Sequence, residues 1–350
     1  MSYYPDSNSF PPDEPEETVA RPSLARQLAP YVFAGLILVY MFYKVDFSRV
    51  WDILTRDDIH HFLIVGAYLV YCAVYYFTDI LSFHHAYNRF NAAIGFLETA
   101  RLRFASYTVQ AVNGAITEVM AVLYMRRVKK VPVLSSSSSA AFVYFNETYT
   151  MVALLSYCAF LLPEKNRIVI EIPHIGVTFW GLLQGAIVLA WIVLPLWLVF
   201  FRTRLGTFFG RLYNAEVLLA FREARLRDYA AVFGYRFGNN VINVLMNIVI
   251  LKAMGIDAPL PLLFAAVPFM VNVAYWPISV GGFGGPQLVA DFLLKGYATE
   301  ETVFAYSLIW SALFFLTRTL SGLPFLRPVY RAAFPTTSPA KDIEVEARPD

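Results

Sequence analysis

The sequence predicts an all-α polytopic membrane protein with about six full transmembrane helices and two oppositely oriented re-entrant helical hairpins, arranged as an inverted repeat. Three observations carry this reading. The 350 residues are 58% hydrophobic and 15% charged, with a mean hydropathy of +0.52, whereas soluble domains carry about 25% charge. Two stretches of otherwise apolar sequence hold residues that break a helix, one around Asn113-Gly114 and one from Trp276 to Gln287. The basic residues are distributed unevenly between alternate connecting segments.

In chain order, residues 1–28 read as a disordered cytoplasmic tail, because Pro5, Pro11, Pro12, Pro15 and Pro22 sit among Asp13, Glu14, Glu16 and Glu17 with no apolar pattern to bury. A first membrane repeat covers 29–165. Its first span, 30–45, lacks the form of a cleavable signal and is expected to be retained as an anchor. A polar linker follows, and 59–83 supplies the second span. Its tyrosines, at 68, 71, 75 and 76, suit the interface or helix packing. The hairpin of this repeat, 104–125, has arms of about eleven residues either side of Asn113-Gly114, about half of what a span requires. Arg101 and Arg103 before it, and Arg126, Arg127, Lys129 and Lys130 after it, mark both ends as water-facing on one side. Pro132 and the Ser135–Ser139 run read as a hinge into a third span at 140–162.

The second repeat, 172–330, repeats this order. A span at 176–201 leads into an arginine-rich interfacial segment, 202–228, suited to lie against anionic lipid. A span at 229–254, a hairpin at 262–294 and a last span at 303–326 follow, and 331–350 reads as a disordered cytoplasmic tail. The second hairpin breaks at W-P-I-S-V-G-G-F-G-G-P-Q, where four glycines and two prolines exclude a continuous helix. Broken backbone at membrane depth is tolerated where protein buries it or where it lines a wet cavity.

Three crossings per half make the halves inverted. The basic residues test that: 21 fall in segments expected inside and 7 in segments expected outside, which places both termini in the cytoplasm. Nucleic-acid binding finds no support. Cys72 and Cys158 lie in apolar segments and read as small hydrophobes.

Pro277 to Gln287, P-I-S-V-G-G-F-G-G-P-Q, resembles the Pro-x-Ser/Pro-Gly-Gly-x-Gly-x-x-Glu signature of the lysylphosphatidylglycerol synthase transmembrane-region family of flippase-like membrane proteins. N-G-A-I-T-E, followed by V-M-A-V-L-Y-M-R-R, is similar to that family's first-half motif. The resemblance spans roughly residues 30–330. The sequence departs from it at Thr117, where Gly usually precedes Glu118, at Asn113, near an expected Pro, and at Gln287, where Glu is expected. The resemblance implies an inner-membrane protein that moves or handles lipids or lipid-linked headgroups.

No catalytic constellation, metal ligand set or cofactor site can be placed in the sequence. Glu118 and Glu147 are carboxylates at membrane depth, where ionisable residues are functional candidates by default. Arg236, Asn240, Asn243 and Asn247, spaced four, three and four, share a helix face. They serve either as interhelical glue or as a stripe guiding a phosphate headgroup. Arg318 either lines the route or snorkels to the headgroups, and Asp79 and Asp291 are further pathway candidates. The expected substrate pathway is therefore Glu118, Glu147, Arg236, Asn240, Asn243 and Arg318. The expected headgroup-binding turn is Gly281, Gly282, Gly284, Gly285 and Gln287, opposed by a first turn at Asn113 and Gly114. His84 and His85 suit interfacial solvation. The function expected is translocation of an anionic membrane lipid. The alternatives are a membrane-embedded transferase acting on polyprenyl-phosphate or phospholipid headgroups, and a non-catalytic partner of an envelope-lipid biosynthetic enzyme.

Overall fold

The computed structural model describes residues 46–56, 59–112, 114–163, 178–274, 279 and 282–333, with Val39 and Tyr43 besides. The tail at 1–28, the rest of the first span at 30–45, Asn113, Trp276–Ile278, Gly281 and the tail from 334 onward lie outside the described residues. The described residues are helical, without a strand.

Helix α1, Phe47–Leu54, replaces the polar linker expected there. Asp46 caps it, its side chain accepting from the Ser48 amide at 3.0 Å. Val50 is fully buried, and the helix packs on the last helix of the chain. Helix α2, His61–Phe90, runs seven residues past the expected end at Phe83, because Ala86, Tyr87 and Phe90 remain buried and carry its packing onward. The arms of the first hairpin are α3, Phe96–Val112, and α4, Gly114–Lys129. At 17 and 16 residues, about 26 and 24 Å, they exceed the expected eleven. The basic residues flanking the break are absorbed into the helices instead of ending them. Arg126, Arg127 and Lys129 sit in the last turn of α4, where a cation suits the helix dipole.

Helix α5 is Val133–Leu161, and the serine run is part of it, not a hinge. Ser135, Ser136, Ser138 and Ser139 are buried, and small residues let neighbouring backbone approach closely. Ser138 Oγ accepts the Ala220 amide at 2.9 Å. Helix α6, Phe179–Arg202, is the most apolar and the least buried of the long helices. Short turns from Arg204 to Glu223 form the interfacial segment, with Phe208 and Phe209 outward and Ala220 and Phe221 inward. Then come α7, Leu226–Ala253, α8, Leu260–Val273, α9, Gly285–Leu294, and α10, Glu300–Ala333. The arms α8 and α9 are about 21 and 15 Å long, each short of a bilayer core of about 30 Å.

Among the described residues, α2, α6 and α10 are long and apolar enough to cross a membrane. Helices α5 and α7 have 29 and 28 residues, and serines and asparagines dilute their apolarity. The most extensive contact joins α3 to α10, followed by α2 with α7. At the first of these seams Gly322 lies on the α3 backbone: a Cβ there would collide with the Phe104 carbonyl and with Thr108. The Thr108 hydroxyl donates to the Thr319 carbonyl at 3.3 Å across the same seam.

Two large hydrophobic clusters fill the bundle. One gathers Tyr68, Tyr71, Tyr75, Tyr107, Val244, Trp310 and Phe314, and the other Phe83, Tyr87, Leu102, Ala105, Val143, Val232 and Val329. Along α2, α7 and α10 the chain passes from one cluster to the other, with buried Asp79, Arg236 and Arg318 between, while α3 contributes to both and carries buried Arg103 beside Leu102. The hydrophobic interior is split by a charged layer.

Candidate functional site

The layer is built around Asp79, 1% exposed on α2. Its Oδ2 accepts from Arg103 Nε at 2.8 Å and from the Tyr107 hydroxyl, both on α3. Its Oδ1 pairs with Arg236 Nη1 of α7 at 2.8 Å. One carboxylate thus holds two guanidiniums, each 1–2% exposed. Phe83, one turn further along α2, lies under both: its ring centroid is 3.7 Å from the Arg103 Cζ and 5.4 Å from that of Arg236. Aromatic faces favour a desolvated cation in this way.

Two glutamates complete the pairing. Glu118 Oε1 on α4 accepts from Arg103 Nη1 at 3.0 Å and from the hydroxyl of Tyr144 on α5. Glu147 Oε2 pairs with Arg236 Nη1 at 3.2 Å. Glu147 stands fourteen residues from either end of α5, about 21 Å from each. Unlike Asp79, both glutamates reach the surface, their side chains 23% and 19% exposed, and Tyr144 and Thr148 beside them are exposed as well. The middle of α5 therefore presents a polar side window onto buried arginines. The arginines have unused capacity: Arg236 Nε and Nη2 are buried with no hydrogen-bond partner, and so is Glu118 Oε2.

Five of the groups are thus drawn to one point from five helices: Asp79, Arg103, Glu118, Glu147 and Arg236. Arg318 is fully buried as well, 3.8 Å above the Phe314 ring and 4.7 Å from that of Tyr75, so it does not snorkel to the interface. The asparagines stand apart from the charges. Asn240 Nδ2 donates to Thr150 Oγ1 at 2.8 Å and to the Arg236 carbonyl, and Asn243 accepts from Asn247, which receives the Tyr306 hydroxyl. Those bonds tie α7 to α5 and α10, the glue role.

The Gly-rich turn is engaged with itself. Gly282 and Gly284 adopt φ of +81° and +100°, which side chains rarely take. At Gly285 a Cβ would strike Ser279 and Val273. Gln287 Oε1 accepts the Gly284 amide at 2.7 Å, while its Nε2 donates to Ser311 Oγ at 2.9 Å and to the Ser307 carbonyl at 3.3 Å. Ser311 donates in turn to the Gly282 carbonyl, and the Gly285 amide donates to Ser279 Oγ. The amides of Gly284 and Gly285 are already occupied, so an anion expected at this turn has two donors fewer to meet. Gly281 and Asn113 lie outside the described residues, and Gly114 begins α4.

Sequence reasoning assigned Arg103 to a water-facing hairpin end, and it is buried at the centre of the layer. Tyr107 and Tyr144 were also missed as partners of the carboxylates. Arg103, Arg236 and Arg318 are among the 21 basic residues counted inside; without these three the balance is 18 against 7, of the same sign. Outside the layer, His85 pairs with Asp228 at 3.2 Å, Arg89 with the same carboxylate at 3.3 Å, and Asp291 is partly buried on α9. Cys72 and Cys158 are buried free thiols.

Compared with known proteins, residues 27–322 match the family described as Lysylphosphatidylglycerol synthase TM region. No curated protein and no solved structure matches the chain.

Proposed function

The chain belongs to the lysylphosphatidylglycerol synthase transmembrane-region family, whose members are integral membrane proteins related to lipid synthesis or flipping, and from that premise we propose that it translocates an anionic membrane lipid. The observation that carries the reading is the pair Arg103 and Arg236, buried within the bundle and paired to Glu118 and Glu147, whose side chains reach the surface beside Tyr144 and Thr148. A charge inside a bilayer costs about 2.5–3.5 kcal/mol even on lenient scales. Burying five is not a route to stability, since paired buried charges roughly break even against apolar residues of the same size. Guanidiniums are suited to phosphate oxygens, which they meet with several N–H groups at once.

In this reading the headgroup leaves the interface laterally, passes Tyr144 and Glu147, and exchanges onto the guanidiniums while its acyl chains stay in the bilayer. The glutamates occupy the guanidiniums when no headgroup is present. The Gly-rich turn has a supporting role, fixing α9 against α10.

The test is leaflet exchange in proteoliposomes. Fluorescent phosphatidylglycerol should become accessible to an external quencher faster than in empty vesicles, and Arg236→Gln should bring the rate down to that background. Exchange no faster than in empty vesicles across a panel of anionic lipids and polyprenyl phosphates would overturn the reading.

A further inference from the structure

Among the described residues, the ion pairs join three carboxylates, Asp79, Glu118 and Glu147, to two guanidiniums, Arg103 and Arg236. The positive charges of this network are already matched. A phosphate group arriving at Arg103 and Arg236 adds at least one negative charge, in a medium that strongly disfavours uncompensated charge. Something must neutralise it.

Asp79 is the wrong group to give way, because its Oδ2 carries two hydrogen bonds, its Oδ1 lies 2.8 Å from Arg236 Nη1, and it is 1% exposed. Glu118 is the right one. It faces Arg103 from α3, Asp79 and Tyr87 from α2 and Tyr144 from α5, and its side chain is 23% exposed at the window. From α10 the charged side chain in the layer is Arg318, which is turned to Phe314 and Tyr75. Oε1 of Glu118 carries both hydrogen bonds, and Oε2 carries none. On the other side of Asp79, Arg236 is 2% exposed and has Nε and Nη2 unengaged, aimed at no group of the protein.

We propose that the anionic headgroup enters this site together with a proton. Resting on the headgroup reading above, the proposal is that a phosphate oxygen replaces Glu118 on Arg103 while others fill the vacant donors of Arg236. The displaced carboxylate binds a proton from water at the window, forming an O–H bond on Oε2. The site gains one negative charge and one proton, so its net charge is unchanged. On release the proton leaves, Glu118 returns to Arg103, and lipid movement is thereby tied to proton movement. Glu147, paired with Arg236 through the nitrogen that also serves Asp79, shifts less.

Calorimetric titration of the full chain in detergent with dioctanoylphosphatidylglycerol measures this, since a phosphodiester does not itself titrate near neutrality. Run at mildly acidic pH in two buffers of different ionisation enthalpy, it should give uptake of about one proton per lipid bound. Glu118→Gln should retain binding and lose the uptake, and Glu118→Asp, which keeps a carboxylate, should retain both. Binding without proton uptake, or uptake undiminished in Glu118→Gln, overturns the proposal and leaves the headgroup reading standing. Absence of binding by the unaltered protein overturns the headgroup reading itself. Dimethyl phosphate, the same anion without acyl chains, separates a lipid site from one for free oxyanions: equal binding and uptake would keep the coupling and remove the lipid.

Discussion

The two helix breaks look like counterparts in the sequence and behave as opposites in the fold. The first is followed by Glu118, which reaches into a charged layer and contacts α3 and α5. The second contains Gln287 at the comparable place, and every polar atom of that side chain is spent holding its own turn to α10. The difference between a carboxylate and an amide explains the division. An amide accepts and donates at once, as the Gly284 amide and the Ser307 carbonyl require, and an ionised carboxylate only accepts. A carboxylate can take up a proton in the ordinary pH range, and an amide cannot. On the proposed reading, one break serves chemistry and the other rigidity.

The sharpest way to break that comparison is to remove the centre of the charged side. Asp79→Asn leaves two buried guanidiniums without their shared counterion and should destabilise the fold by about 3–5 kcal/mol, seen as loss of a cooperative thermal transition in detergent. A mild effect would mean that the layer is wetter than its burial indicates. Exchanging the two residues' chemistry comes next. Glu118→Gln should reduce lipid exchange tenfold or more, about 1.4 kcal/mol in the barrier, while thermal stability changes little. Gln287→Glu should do the reverse, lowering stability by about 1–3 kcal/mol because a buried carboxylate has no hydrogen to give the Ser307 carbonyl and Ser311 Oγ, with exchange per folded molecule retained. If both variants lost transport and stability in equal measure, the division of labour would be wrong. Gly285→Ala overpacks the turn against Ser279 and Val273 and should cost about 1–3 kcal/mol without altering the proton count of lipid binding. The smallest effect belongs to Asn240→Ala, about 0.6 kcal/mol, typical of one interhelical hydrogen bond within a membrane.

Much of the helical order was legible because Gly and Pro interrupt apolar runs and leave local marks: the arms at 260–273 and 285–294 fall close to the expected 262–294 hairpin. Glu118, Glu147 and Arg236 were legible for a different reason, since an ionisable residue within an apolar run stands out by its cost. Arg103 was not. It follows Arg101 by two residues near the start of a helix, and that pattern reads as an interface whichever of the two turns inward. Only the packing of α3 against α10 and α2 decides that Arg101 faces out and Arg103 is buried. Asp79 was weighed and set low because no single stretch of sequence tells that two arginines, 24 and 157 residues away, converge on it. The serine run misled in the opposite sense, for its composition suits a linker and its burial against the interfacial segment makes it helix.

The seam at Gly322 has a kinematic consequence. With no side chain between them, α10 and the backbone of α3 are seated like two parts of a dovetail, and sliding either along the other would drive Thr108 into α10. Arg103 and Arg318 therefore ride on a single rigid body. The partly exposed contact of α5 with α4, where Tyr144 donates to Glu118, lies outside that seam.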